Sequence, residues 1–208
     1  MSDFRRRTVI AKKPYDAEIE YLELPNNNDT FAVVTNKVLP SSGVFKFEID
    51  FEVFGDIYNN YCTLVSKYTT GGNGFILSIN NKTPCCYLTS FQRQNVNVGI
   101  GKHKIELWSN GDDYWYLNID ENTPLRIQKG NRWMLGSNNI TLFSRSDNYT
   151  ERASYNIKYD NFKFYFDDIL ECDYIPVRVG QVGYMYDKVS HQLFGNSGTG
   201  NFILGPDL

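Results

Sequence analysis

A chain of 208 residues that is 41% hydrophobic and 15% aromatic carries enough apolar material for one sizeable core. Its net charge of −3, from 21 basic and 24 acidic residues, gives no overall pull toward nucleic acid, and no apolar run approaches the ~18–20 residues of a membrane-spanning helix. With 15 Tyr and 14 Phe, the composition leans toward pleated, half-buried surfaces rather than helices.

Residues 1–14, Met-Ser-Asp-Phe-Arg-Arg-Arg-Thr-Val-Ile-Ala-Lys-Lys-Pro, hold five basic side chains against one acidic, leaving 16 basic and 23 acidic to the rest. No apolar h-region follows the positive charge, so the segment does not read as a secretory signal peptide. Its apolar area is too small to offset the entropy of ordering. It is expected to be a basic arm that either stays solvated or docks through Phe4, Arg5, Arg6 and Arg7 on an acidic protein surface. Three arginines without interleaved aromatic residues or a second basic patch make no nucleic-acid footprint. Pro14 separates the arm from a domain expected over residues 15–208.

Past Pro14 the chain reads as strand after strand, with candidate rim loops at 26–29, 69–73 and 144–149. Val44–Val53 alternates strictly, placing Phe45, Phe47, Ile49, Phe51 and Val53 on one face and Lys46, Glu48, Asp50 and Glu52 on the other. Lys102–Trp108 and Tyr114–Asp120 flank Ser-Asn-Gly-Asp-Asp and are expected to form a hairpin. Pairing about Gly111 puts Leu107 opposite Trp115 and Ile105 opposite Leu117 inside. The same register sets Trp108 opposite Tyr114, Glu106 opposite Tyr116 and Lys104 opposite Asn118 outside. Further on, Tyr155–Tyr159 and Phe162–Phe166 are out of step by one residue at Asp160-Asn161, which signals a bulge or a tight turn.

The cysteines give no disulfide or metal framework. Cys85 and Cys86 are adjacent and point to opposite faces of a strand, while Cys62 and Cys172 lie in apolar or aromatic runs. Buried reduced thiols are the reading. Of the two histidines, His103 falls opposite Ile119 on the inner face and His191 in a turn-rich segment, which leaves no nucleophile–base triad. Gly71-Gly-Asn-Gly74 follows no strand-to-helix transition and is a turn rather than a phosphate loop, and no D-x-D-x-D-G calcium loop is present. No cofactor and no metal site is expected.

The last strands are the most telling. Gly183–Tyr186 and Leu193–Phe194 are short and aromatic, closed by a Gly/Asn/Ser turn cluster at 195–200. Together with the opening Tyr15-Asp-Ala-Glu-Ile-Glu-Tyr-Leu-Glu-Leu24, the segment Asp173–Arg178 and the close Phe194-Gly-Asn-Ser-Gly-Thr-Gly-Asn-Phe202, the chain resembles laminin G-like, concanavalin A-like jelly-roll sandwich domains. Such domains occur in tailed-phage structural proteins and in Bacteroides-type gut-bacterial surface or prophage proteins. The resemblance implies an all-β sandwich and a binding or structural role. Specifically, it implies a virion protein (capsid decoration, head fibre or tail appendage) made in the bacterial host cytoplasm, with other virion proteins as partners. The alternatives are a carbohydrate-binding domain of a gut-bacterial surface protein, and a glycoside hydrolase. A host surface glycan and a second copy of the chain are the remaining partner classes.

The hydrolase alternative rests on Glu48-Ile-Asp-Phe-Glu52, which is similar to the E-[ILV]-D-x-E catalytic strand of laminarinases and xyloglucan transferases. There Glu48 would be the nucleophile and Glu52 the acid/base. Here the strand comes early in the domain, and alternation alone produces such a stripe, so the chain is expected not to be an enzyme. Trp108, Tyr114 and Tyr116, sharing the outer hairpin face with Glu106 and Lys104, are the candidate contact residues. Three roles are open for them: cover of the sheet surface, a protein interface, or stacking against a glycan.

Overall fold

The alternation of Phe45–Val53 is carried directly into burial: every apolar residue of the strand is buried, and every charged residue between them is half-buried. The computed structural model describes residues 13–25, 30–38, 43–57, 61–69, 73–87, 91–128, 138–145 and 156–208, and among them are strands and no helix. In chain order these begin β1 (Ala17–Glu18), β2 (Leu22–Glu23), β3 (Val33–Val34), β4 (Phe45–Val53), β5 (Tyr61–Thr69) and β6 (Asn73–Asn80). There follow β7 (Thr83–Tyr87), β8 (Phe91–Arg93), β9 (Gly101–Ser109), β10 (Tyr114–Ile119), β11 (Leu125–Gln128) and β12 (Thr141–Leu142). The last are β13 (Ile157–Phe166), β14 (Ile169–Val179), β15 (Val182–Asp187), β16 (Gln192–Phe194) and β17 (Ile203–Leu204).

They form two antiparallel sheets. The larger runs β11-β10-β9-β4-β13-β14-β15-β16, with β1 on β14, β2 on β13 and β17 on β2; the smaller runs β3-β12-β5-β6-β7-β8. The inner faces meet in one aromatic core. Phe47 of β4 lies 4.8 Å from Phe164 of β13 and 5.1 Å from Phe75 of β6, so a single ring spans the gap between sheets. Trp115 is fully buried, with Phe45 at 4.1 Å and Phe75 at 5.6 Å. The smaller sheet shows why its strands lack clean alternation in sequence. Thr63, Ser66, Ser78 and Cys85 are buried on one face as Leu64, Leu77 and Cys86 are on the other. All four cysteines are buried, and none is joined in a disulfide.

The hairpin of β9 and β10 keeps its predicted faces but not its predicted register. Trp108 lies opposite Tyr116, Leu107 opposite Leu117, Glu106 opposite Asn118 and Ile105 opposite Ile119, with Ser109 opposite Trp115. The pairing is thus two residues further along than symmetry about Gly111 predicts. The cause is Asp112: its carboxylate accepts the Tyr114 amide at 3.0 Å and the Tyr116 hydroxyl at 2.8 Å, centring the loop on itself. A two-residue shift preserves facing, because the side-chain period of a strand is two. His103 accordingly faces Phe51 across β4 rather than Ile119. It sits at the sandwich rim with polar partners, Asp120 Oδ2 at 2.6 Å and the Gly99 carbonyl at 2.9 Å, rather than as a packed core residue.

The slip at Asp160 is a bulge inside one continuous strand. Tyr159 pairs with Phe51 and Asn161 with Asp50, so Asp160 is the extra residue. Around it β13 exchanges neighbours: Lys158 and Tyr159 pair with β2, whereas Phe162 onward pairs with β14.

The Gly/Asn/Ser cluster after β16 is a clamp. The Asn196 side chain accepts the amides of Ala32 (2.8 Å) and Gly198 (3.0 Å) and donates to the carbonyls of Thr30 (3.1 Å) and Gly200 (2.7 Å). Thr30 and Thr199 each donate a backbone amide to the other's hydroxyl oxygen, at 3.2 and 3.1 Å. A Cβ on Gly198 would stand 2.0 Å from the Thr30 carbonyl oxygen, so only glycine permits this approach. The chain end is tied as well: Arg178 of β14 holds both carboxylate oxygens of Asp207.

Candidate functional site

The outer face of the larger sheet gathers the polar and aromatic side chains that alternation turns away from the core. β9 and β4 pair so that Trp108 lies beside Lys46, Glu106 beside Glu48, Lys104 beside Asp50 and Lys102 beside Glu52. β13 continues the rows with Lys163 beside Glu48, Asn161 beside Asp50 and Lys158 beside Glu52.

One end of this face is aromatic. Trp108 and Tyr116 stack across β9 and β10 with centroids 5.5 Å apart and planes at 19°. Arg126 of β11 lies 3.4 Å over the Tyr114 ring, an amphipathic contact that orders both side chains. All three predicted aromatic residues therefore share one ledge, and each is half-buried. Arg126 is the member that sequence reading missed. The alternation of Leu125 and Ile127 in Leu125–Gln128 was the available signal, but a four-residue run after a turn is weak on its own.

The middle of the face is charged. Lys46 reaches Glu48 (2.6 Å) and Glu106 (2.9 Å), and Lys104 reaches the same two carboxylates at 3.3 and 3.5 Å. Burial opposes ionisation of Glu48, but hydrogen bonds from the two lysines outweigh it and hold the carboxyl below its ordinary pKa. Glu52 pairs with Lys158 at 3.6 Å. Asp50, between them on β4, is pushed up by burial, which Lys104 and Lys163 only partly oppose.

Beside Asp50 the bulge delivers a residue that sequence reading flagged as a slip but not as a site residue. Asp160 is pushed up to about 6 by burial. Asp50, Lys102, Lys104, Asp160 and Asn161 surround a shallow depression of about 490 Å³ whose floor is the backbone level of β9, β4 and β13. Bulges commonly re-aim a side chain at functional positions, and this one adds a carboxylate to a row that a regular strand would leave without it. Among the described residues, no group of three or more His, Cys, Asp and Glu side chains is placed to hold a metal ion.

Glu48, Asp50 and Glu52 do share one face, as alternation predicts, and Trp108, Tyr114 and Tyr116 share it with them. The arm residues Phe4, Arg5, Arg6 and Arg7 lie outside the described residues, as do 26–29 and most of the other two predicted rim loops.

No protein-family model and no curated protein matches the sequence. Solved structures match in shape. The CBM40 of the Ruminococcus gnavus IT-sialidase superposes with a TM-score of 0.53 at 13% identity, over 73% of this chain and 92% of its own. A protein from Bacteroides ovatus whose carbohydrate binding is itself a proposal gives 0.57 at 11% identity, over 92% of this chain and 60% of that one. The heptameric SAP-like pentraxin of Limulus polyphemus gives 0.50 at 13% identity, over 75% of this chain and 77% of its own. At such identities the likeness speaks to architecture, and with the two antiparallel sheets and the common core it establishes the fold as a lectin-like, jelly-roll β-sandwich.

Proposed function

We propose that this chain is a carbohydrate-binding domain that holds glycans on the outer face of its larger sheet. The observation that carries this reading is the meeting, on one face, of an aromatic ledge and half-desolvated carboxylates. Trp108, Tyr114 and Tyr116 stand at one end and Asp50 and Asp160 in the depression beside Lys102 and Lys104. Sugar rings offer C–H faces to aromatic side chains and hydroxyl groups to carboxylates and amines, so apolar contact and oriented polar groups are required together. That solved sandwiches of this shape include a sialidase carbohydrate-binding module adds support. The test is a glycan microarray followed by calorimetric titration of the retained glycans against Trp108→Ala and Tyr116→Ala. Loss of binding with retained folding is expected. An array with no retained glycan, or wild-type affinity in both variants, overturns the reading.

We also infer that no hydrolysis accompanies binding. The two carboxylates that the catalytic motif would use are taken up in ion pairs across the sheet, Glu48 with Lys46 and Lys104 and Glu52 with Lys158. A narrower role, display of this sandwich on a phage particle as a decoration, fibre or tail-appendage subunit, is supported by the sequence resemblance and by the basic composition of residues 1–14. Mass spectrometry of purified particles tests that role directly.

A further inference from the structure

We infer, building on the carbohydrate reading, that the site is extended along β4 and takes an uncharged oligosaccharide chain rather than a single terminal sugar. The outer-face positions of this strand run Lys46, Glu48, Asp50, Glu52 and then Phe54, about 26 Å from first to last at ~3.3 Å per residue. The Trp108–Tyr116 ledge stands beside Lys46 at one end. At the other end a second aromatic group waits. Phe54, 37% exposed, lies one residue past the last inward position of β4. Lys158 is held 5.3 Å over its ring and 4.5 Å over the ring of Tyr21. The bulge depression sits midway, since Asn161 pairs with Asp50.

An aromatic platform at each end and an open depression between them is a spacing that one sugar unit cannot use, whereas a chain lying along the strand touches all three. The depression also sets the ligand's charge. Among the described residues, Asp50 and Asp160 accept no hydrogen bond from a protein donor, so both have capacity for the donors of a bound diol. Of the lysines around them, Lys46 and Lys104 are matched to Glu48 and Glu106 and Lys158 to Glu52, and the other two, Lys102 and Lys163, act as countercharges to Asp160 and Asp50. A sialylated or uronic-acid chain would bring a carboxylate against two others, and like-charge juxtaposition of this kind is strongly unfavourable. Hydroxyl groups meet no such penalty. Burial raises the pKa of both aspartates, as expected for carboxylates short of donors, and bound hydroxyls would relieve that shortage.

The experiment titrates the protein with cello-, laminari-, xylo- and manno-oligosaccharides of two to six units, alongside 3′-sialyllactose. Wild type is compared with Trp108→Ala and Phe54→Ala, each checked for a retained fold by circular dichroism and a cooperative thermal transition above the assay temperature. For a series that binds, affinity is expected to climb with chain length. Phe54→Ala should weaken the hexasaccharide about tenfold, as loss of one aromatic contact implies, yet leave the disaccharide unchanged. Trp108→Ala should weaken both. Affinity independent of length, a silent Phe54→Ala with the hexasaccharide, or preference for 3′-sialyllactose overturns the extended neutral site while leaving carbohydrate binding intact. If none of the probes binds, the carbohydrate reading falls and this inference with it.

Discussion

Replacing Asn196 by Ala removes the side chain that makes the most hydrogen bonds described between the closing loop and its surroundings, two of them to the segment before β3. Four hydrogen bonds are lost, to the Ala32 and Gly198 amides and to the Thr30 and Gly200 carbonyls, at 2.7–3.1 Å. A neutral bond contributes about 0.5–1.5 kcal/mol net, and an orphaned buried partner costs more. Asn196 is half-buried, so water re-solvates some of the freed groups, and the loss should come to about 2–4 kcal/mol. For a chain of this length each kcal/mol moves the melting temperature by about 2–4 °C, so a fall of about 5–15 °C is expected. Differential scanning fluorimetry with urea titration measures it. The neighbouring Ser197→Ala is the control: Ser197 is exposed, its described bond to Ala32 comes from its own backbone amide, and it should shift stability by less than about 0.5 kcal/mol. Asn196→Asp keeps the two acceptors but turns the donating edge into an oxygen facing two carbonyls, so it should be at least as damaging at neutral pH. If Asn196→Ala lowers the melting temperature by less than about 2 °C, the loop is held by something other than this clamp.

Trp115→Ala should cost about 3–5 kcal/mol, because the ring is fully buried between Phe45 and Phe75. Trp108→Ala should cost only about 1 kcal/mol, the worth of its stack on Tyr116; equal costs by urea denaturation would contradict the assigned faces. Asp160 has its pKa raised in the folded state, so the folded chain binds that proton more tightly than the unfolded one. Its contribution to stability is therefore lost as pH rises from about 4 to about 6. Asp160→Asn should raise the melting temperature at pH 7 by about 2–4 °C, allowing for solvent screening, and leave it unchanged at pH 4. A shift of the same size at both pH values would refute the assignment. No reducing sugar should be released from laminarin or mixed-linkage glucan, and turnover abolished by Glu48→Gln would disprove the non-catalytic reading.

Several features were legible before any coordinates. The stripe of Phe45, Phe47, Ile49, Phe51 and Val53 announces a half-buried strand, because period-two alternation has only one geometric meaning. The slip at Asp160 announces a bulge or a tight turn for the same reason, of which the structure has the bulge, and the apolar context of the four cysteines announces buried thiols. Other features depend on contacts distant in the chain. Two registers of the β9–β10 hairpin satisfy its facing pattern equally, and the Asp112 carboxylate, bonded to Tyr114 and Tyr116, selects between them. The clamp from Asn196 to Thr30 joins positions 166 residues apart, so Gly198 and Asn196 look like ordinary turn residues until that neighbour arrives. The candidate site itself is of this second kind. Alternation tells which side chains of β4, β9 and β13 leave the core, but not that these strands lie side by side. Hydrophobic patterning is a property of one strand and its two faces. Which strands become neighbours is settled by the packing of the whole sheet, and only that brought Asp160 beside Asp50 and the Trp108 ledge to the head of the same face.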